Sequence, residues 1–181
     1  MNSRIVVLVL AVLVLASAAS AGQSAMPYAG QQTRAIKALS DDEIAALVNG
    51  EGVGLAKAAE LNGYPGPAHV LTIAQQLKLT DQQHQQIQAI FDRMSAAAKP
   101  LGAELVERER ALDQLFAKGE ITPDGLTAET TAIAELQGRL RYTHLAAHLE
   151  TRALLSADQI ALYRRLRGYG EPGASMRHHH G

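Results

Sequence analysis

Cysteine and tryptophan are absent from this chain of 181 residues, phenylalanine occurs twice and tyrosine five times. Without a thiol there is no disulfide staple, no thiolate metal site and no cysteine nucleophile. The shortage of rings leaves Leu, Ile, Val and Ala to fill any core, within a hydrophobic share of 47%. That composition suits long helices better than a sandwich or barrel. A surplus of one charge is missing too. Seventeen Lys and Arg face eighteen Asp and Glu, for a formal net charge of −1, so the broad basic excess of a nucleic-acid binder is not there. The chain carries no H-E-x-x-H, no G-x-S-x-G and no glycine-rich phosphate loop ending in lysine, and no enzymatic activity is expected.

The one long apolar run is Ile5 to Ala16, preceded by Arg4 and followed by Ala19-Ser20-Ala21. A short basic start, an apolar stretch and an A-x-A site predict a signal peptide over 1–21, since the run is too short to span a bilayer. Export to the periplasm is expected, with no transmembrane span after processing. Cleavage takes only Arg4 among the charged residues and leaves a formal charge of −2. Residues 22–39 are small and polar and read as a flexible leader, 40–168 as a helical domain, and 169–181 as a disordered tail. The tail carries His178, His179 and His180, adjacent imidazoles that chelate weakly and lose metal toward a pH of about 6.

Inside 40–168 the helix signals are local and strong. Ser40 with Glu43, Thr80 with Gln83, and Ser156 with Gln159 are three capping boxes. Between 50 and 67 the glycines and prolines predict a shaped connection with a helical turn or two at Leu55 to Leu61, and His69 to Leu77 reads as a short helix. From Ile87 to Leu115 apolar residues step by threes and fours, with a kink expected at Pro100. Gly119 stops that run, and Thr122-Pro123 starts another in which Leu126, Ile133, Leu140, Ala147 and Leu154 recur every seven residues. Two long helices near 80–118 and 122–154, joined by a short turn, predict an antiparallel hairpin.

Leu79, Thr80 and Gln83 repeat in type as Leu155, Ser156 and Gln159, whereas Leu71-Thr72-Ile73-Ala74-Gln75 matches only the bare pattern. The expected signal peptide, the pair of L-[ST]-x-x-Q motifs and the helical pattern between them resemble the periplasmic LTxxQ-motif family, over roughly Pro67 to Gly168. That family includes Spy-like and CpxP-like chaperones, zinc-resistance-associated proteins and periplasmic heavy-metal sensors. The resemblance implies an all-α fold, a bent antiparallel hairpin of about four helices in an intertwined or cradle-like homodimer. It implies an envelope stress role, either holding unfolded clients without ATP or binding Zn, Ni, Co or Cu as a sensor or resistance protein. Neither role requires a resident cofactor. Its partners would be unfolded proteins or an envelope signalling protein. The motif residues look structural, and they do not identify client-binding residues. The mildly acidic balance departs from the basic cradle of typical chaperone members.

The sharpest candidate chemistry is His144 and His148, four apart and therefore on one helical face. Two imidazoles there can begin a divalent metal site, with His69, His84, Glu135 or Glu150 as completing ligands that only folding or dimerisation could bring in. Six arginines between 134 and 170 against Glu135, Glu150 and Asp158 make a basic region that could meet anionic headgroups or acidic unfolded segments. A purely structural dimerisation module is the remaining alternative.

Overall fold

The computed structural model describes residues 26–169. The expected signal peptide and almost all of the tail, with its three histidines, lie outside the described residues. Residues 26–32 belong to a separate compact unit of turns, and the main body begins at Thr33. Six α-helices follow: α1 Asp41–Val48, α2 Lys57–Leu61, α3 Pro67–Thr72, α4 Asp81–Lys118, α5 Pro123–Leu154 and α6 Ala157–Leu166. The body is all-α, two long antiparallel arms with four short helices against them. No helix among the described residues is long and apolar enough to cross a membrane.

The caps start the helices where the sequence says. Ser40, Thr80 and Ser156 each accept from the backbone N–H three residues on, and Glu43, Gln83 and Gln159 each reach back to the cap. The two glutamines also hold each other. Gln83 Nε2 donates to Gln159 Oε1 at 2.9 Å and Gln159 Nε2 donates to Gln83 Oε1 at 3.0 Å. Gln83 Nε2 further donates to the Leu154 carbonyl, and Gln159 Nε2 to the Leu77 carbonyl. Each amide therefore bridges its own helix start to the chain entering the other, which pins the open end of the hairpin. The third bare match does none of this: Thr72 closes α3 and its hydroxyl donates back to the Ala68 carbonyl. Replacing Thr80 or Ser156 by Ala should cost about 0.5–2 kcal/mol in urea unfolding. A change that left the midpoint in place would show that the caps contribute nothing.

Helix α4 runs as one element through Pro100. Two expectations are modified. The short helix ends at Thr72 instead of Leu77, because the chain turns through 73–78 and Lys78 takes a φ of 51°. Ile36, which the sequence places in the leader, is fully buried against Leu47, Leu105 and Leu136, and Asp113 holds Lys37 at both backbone N–H and ammonium, each at 3.1 Å.

The seam between the arms is not continuously apolar. One cluster joins Ile36, Leu47, Ala98, Leu105, Ile133 and Leu140. A second joins Val70, Leu77, Ile87, Leu155 and Tyr163 around the motif glutamines. Between them α5 turns His144 and His148 inward, at 4% and 8% exposure. The short helices cover one side of the hairpin. At the tightest point α1 crosses α4 at Gly102, where an added Cβ would lie 1.9 Å from the Leu47 carbonyl oxygen.

Candidate functional site

The polar layer is organised by a carboxylate. Glu60, on the short helix α2, is 8% exposed, a position where a charge persists only if it is paired. Tyr163 Oη donates to Oε1 at 2.5 Å, and Gly66 N–H donates to Oε2 at 3.3 Å. His69 Nδ1 and Arg167 Nε lie 3.6 Å from Oε1, and His148 Nδ1 lies 3.8 Å from Oε2. One side chain thus links α2, α3, α5 and α6. Burial, then the Glu60 hydrogen bond, drives the Tyr163 hydroxyl far above its ordinary value, so it stays a donor.

The histidines meet the chain between α1 and α3. His148 Nδ1 lies 2.7 Å from the Tyr64 carbonyl oxygen. Only a protonated Nδ1 can make that bond, which leaves Nε2 as the bare acceptor of the neutral ring. Gly66 passes so close to this ring that an added Cβ would sit 2.8 Å from Nε2, so this position must stay glycine unless the ring moves. Gly52 lies over His144 in the same manner, with Nδ1 3.4 Å from its Cβ position. His144 Nε2 is buried and has no hydrogen-bond partner.

Phe91, Met94 and Ser95 of α4, His144 and His148 of α5, and the 49–69 segment enclose a cavity of about 550 Å³. His69 lines the same cavity. The fold therefore brings together three of the four histidines singled out from sequence. His84 stays exposed in the first turn of α4 and does not line the cavity. Glu150 pairs with Arg93 at 2.6 Å, and Glu135 lines a groove on the other side of the hairpin. Glu60 carries no sequence signal for this site, because a single carboxylate among small residues has no periodic pattern, whereas Arg167 stands among the six arginines of the basic region.

Among the described residues no three His, Asp or Glu are grouped so as to hold a metal ion. The hydrogen bonds show what already engages the candidate ligands. Both oxygens of Glu60 are engaged. His69 faces Glu60 through Nδ1, and its Nε2 lies 3.5 Å from Arg167 Nη2. His144 Nε2 and His148 Nε2 remain, fewer than the three protein ligands of even an open zinc site.

Burial, and then the neighbouring His148, hold the His144 imidazole below its ordinary value. His69 is lowered by burial, then by Arg167, against the opposing pull of Glu60. A lowered histidine favours the neutral ring in the folded state. The unfolded chain takes up protons first, near pH 6.5, so stability is complete above that value and is lost as pH falls through the folded pKa. The thermal midpoint should be flat above about pH 7 and fall toward pH 5. His144→Leu should remove part of that slope. A midpoint that rose on acidification would contradict the neutral, buried ring.

Among the described residues no short helix covers the opposite side of the hairpin. Ala97, Pro100 and Leu101 of α4 with Gly138, Arg139 and Tyr142 of α5 line a groove of about 770 Å³, and Ala89, Ile90, Ala153 and Leu154 line a second of about 380 Å³. Tyr142 and Leu149, seven residues apart on α5, are 74% and 59% exposed. The basic region divides in the same way. Arg152 stacks on Tyr64 at 4.5 Å and donates to the Gly63 carbonyl, and Arg167 faces Glu60, so both hold the covering segment. Arg139 lines the open groove.

No curated protein and no solved structure matches the chain. A family model described as LTXXQ motif family protein matches residues 68–167, more than half of the chain. The match takes in both capping-box motifs, both arms, His69, His144 and His148, and it begins after Glu60, Tyr64 and Gly66. With paired motifs clasped at the end of a helical hairpin, the chain belongs to the LTXXQ motif family.

Proposed function

We propose that the protein is a periplasmic stress protein that holds unfolded clients without ATP, on the uncovered side of its hairpin. The observation that carries this reading is the pair of adjoining shallow grooves beside exposed Tyr142 and Leu149. Apolar walls interrupted by Glu104, Glu135 and Arg139 suit short apolar stretches of varied sequence, because hydrophobic contact is not directional while flanking charges of both signs reject no client class outright. A contiguous apolar patch of that kind marks an interaction surface. Two copies meeting through this or another face would double the surface, in keeping with the homodimer that the family resemblance implies.

The competing reading, a sensor or resistance protein that binds Zn, Ni, Co or Cu through His144 and His148, is weakened by the hydrogen bonds that already occupy Glu60 and His69. Suppression of client aggregation separates the two. The chain should slow aggregation of a reduced, unfolded protein in chelator and without nucleotide. Tyr142→Glu with Leu149→Glu should weaken suppression at least about tenfold, the loss expected when a few large apolar contacts go. Suppression that appears only with added metal, or that the double variant keeps, would reject the open-face reading.

A further inference from the structure

We infer that the cavity on the covered side of the hairpin is a binding site for a small uncharged molecule with an apolar body and one hydrogen-bond donor, such as a phenol. The site is separate from the open grooves, and the inference does not rest on the client-holding role.

The size is that of a small-molecule pocket, about 550 Å³. The walls set the body of the ligand. Phe91 and Met94 line it from α4, and Val53 and Leu61 stand at the rim with 48% and 53% of their surface in solvent. An aromatic ring lying between a thioether, a phenyl and two aliphatic side chains would bury area on both faces.

The charges exclude an ionic ligand. Glu60 has both oxygens engaged by Tyr163, Gly66, Arg167 and two histidines, so it has no free side to offer a cation. Lys57 and Glu51 both line the cavity and offset each other in formal charge, so an anion finds no net positive wall. Burial lowers the His144 imidazole, and the same desolvation disfavours a charged ligand beside it.

The polar contact is set by what the hydrogen bonds leave over. His69 is engaged at both nitrogens and His148 at Nδ1. Two imidazole nitrogens on the cavity wall are left over, His144 Nε2, which is buried without a partner, and His148 Nε2, the remaining acceptor on the ring that faces Gly66. An acceptor calls for a donor on the ligand. Gly66 lies against that edge and brings no side chain of its own to it, since an added Cβ would sit 2.8 Å from Nε2.

Three naphthalenes of one shape test this with the full chain in chelator. 1-Naphthol is neutral and a donor, 1-methoxynaphthalene lacks the donor, and 1-naphthoate carries a charge. Titration calorimetry should give one saturable site for 1-naphthol, about fivefold weaker binding for the methoxy compound, and weaker still for the carboxylate. Ala68→Trp, at an exposed position of α3 on the cavity wall, should abolish binding with the far-ultraviolet circular dichroism unchanged. Independently of that variant, the Met94 methyl resonance should shift on adding 1-naphthol while the Met26 methyl stays put. No saturable site, naphthoate binding as tightly as naphthol, a silent Met94, or stoichiometric zinc displacing naphthol would each overturn the proposal.

Discussion

Gly102→Ala should destabilise the protein by about 3 kcal/mol, the upper part of the overpacking range, and lower the thermal midpoint by roughly 10 °C. The reason is a backbone-on-backbone approach. A Cβ at residue 102 would lie 1.9 Å from the Leu47 carbonyl oxygen and 2.6 Å from its carbonyl carbon. Neither atom belongs to a flexible side chain that could swing away, so α1 as a whole must lift. Lifting it also loosens Ile36, Leu39 and Ile44 from the same cluster, although Ala normally favours a helix over Gly by about 1 kcal/mol. Calorimetry of the variant, with Gly138→Ala as the comparison, checks the claim. An added Cβ at Gly138 meets nothing within 4 Å, so that change should be neutral or stabilising. Equal midpoints for the two variants would show that the α1–α4 crossing is not close-packed.

Glu60→Ala should cost about 2–4 kcal/mol, the range for removing one partner of a buried, hydrogen-bonded charge cluster. The change leaves Tyr163 Oη and Gly66 N–H without their acceptor, and it leaves Arg167 and His69 facing one another with no carboxylate between them. Glu60→Gln keeps the shape and one acceptor oxygen, so it should lose clearly less. Hydrogen exchange should show where the cost falls. Protection should drop through 57–72 in Glu60→Ala and persist in the central turns of α4 and α5. Uniform loss across the chain would mean that the carboxylate supports the whole hairpin. No loss at all would mean that the cluster is not formed in solution.

These two positions also mark what could not be read from the chain alone. Caps are written within three residues, so Ser40, Thr80, Thr122 and Ser156 all announced their helices. The arms were equally plain, because Ile133, Leu140 and Ala147 repeat at the heptad step and all three are buried. Leu126, at the outer end of the same series, is 39% exposed. Tertiary approach has no such local code. Gly102 looks like any weak point inside a helix until Leu47, 55 residues earlier, is seen against it. The spacing of His144 and His148 correctly put them on one face, and their place beside Ala147 put that face near the seam. The groups that meet them, Glu60, Tyr64 and Gly66, come from a segment whose glycines and prolines announce only that the chain turns. The reciprocal clasp of Gln83 and Gln159 was similarly hidden, since each capping box is complete without the other.

The central claim is that the hairpin has two sides with different duties, a covered one with a small cavity and an open one that receives clients. Site-specific photo-crosslinking reads this directly. A benzophenone side chain is placed at Tyr142 or Leu149 on the open side, and at Leu61 on the rim of the cavity, and each variant is irradiated with an unfolded client in chelator. The account predicts client adducts from 142 and 149 and few or none from 61. Adducts concentrated at 61, with 142 and 149 silent, would place client binding on the covered side and contradict it.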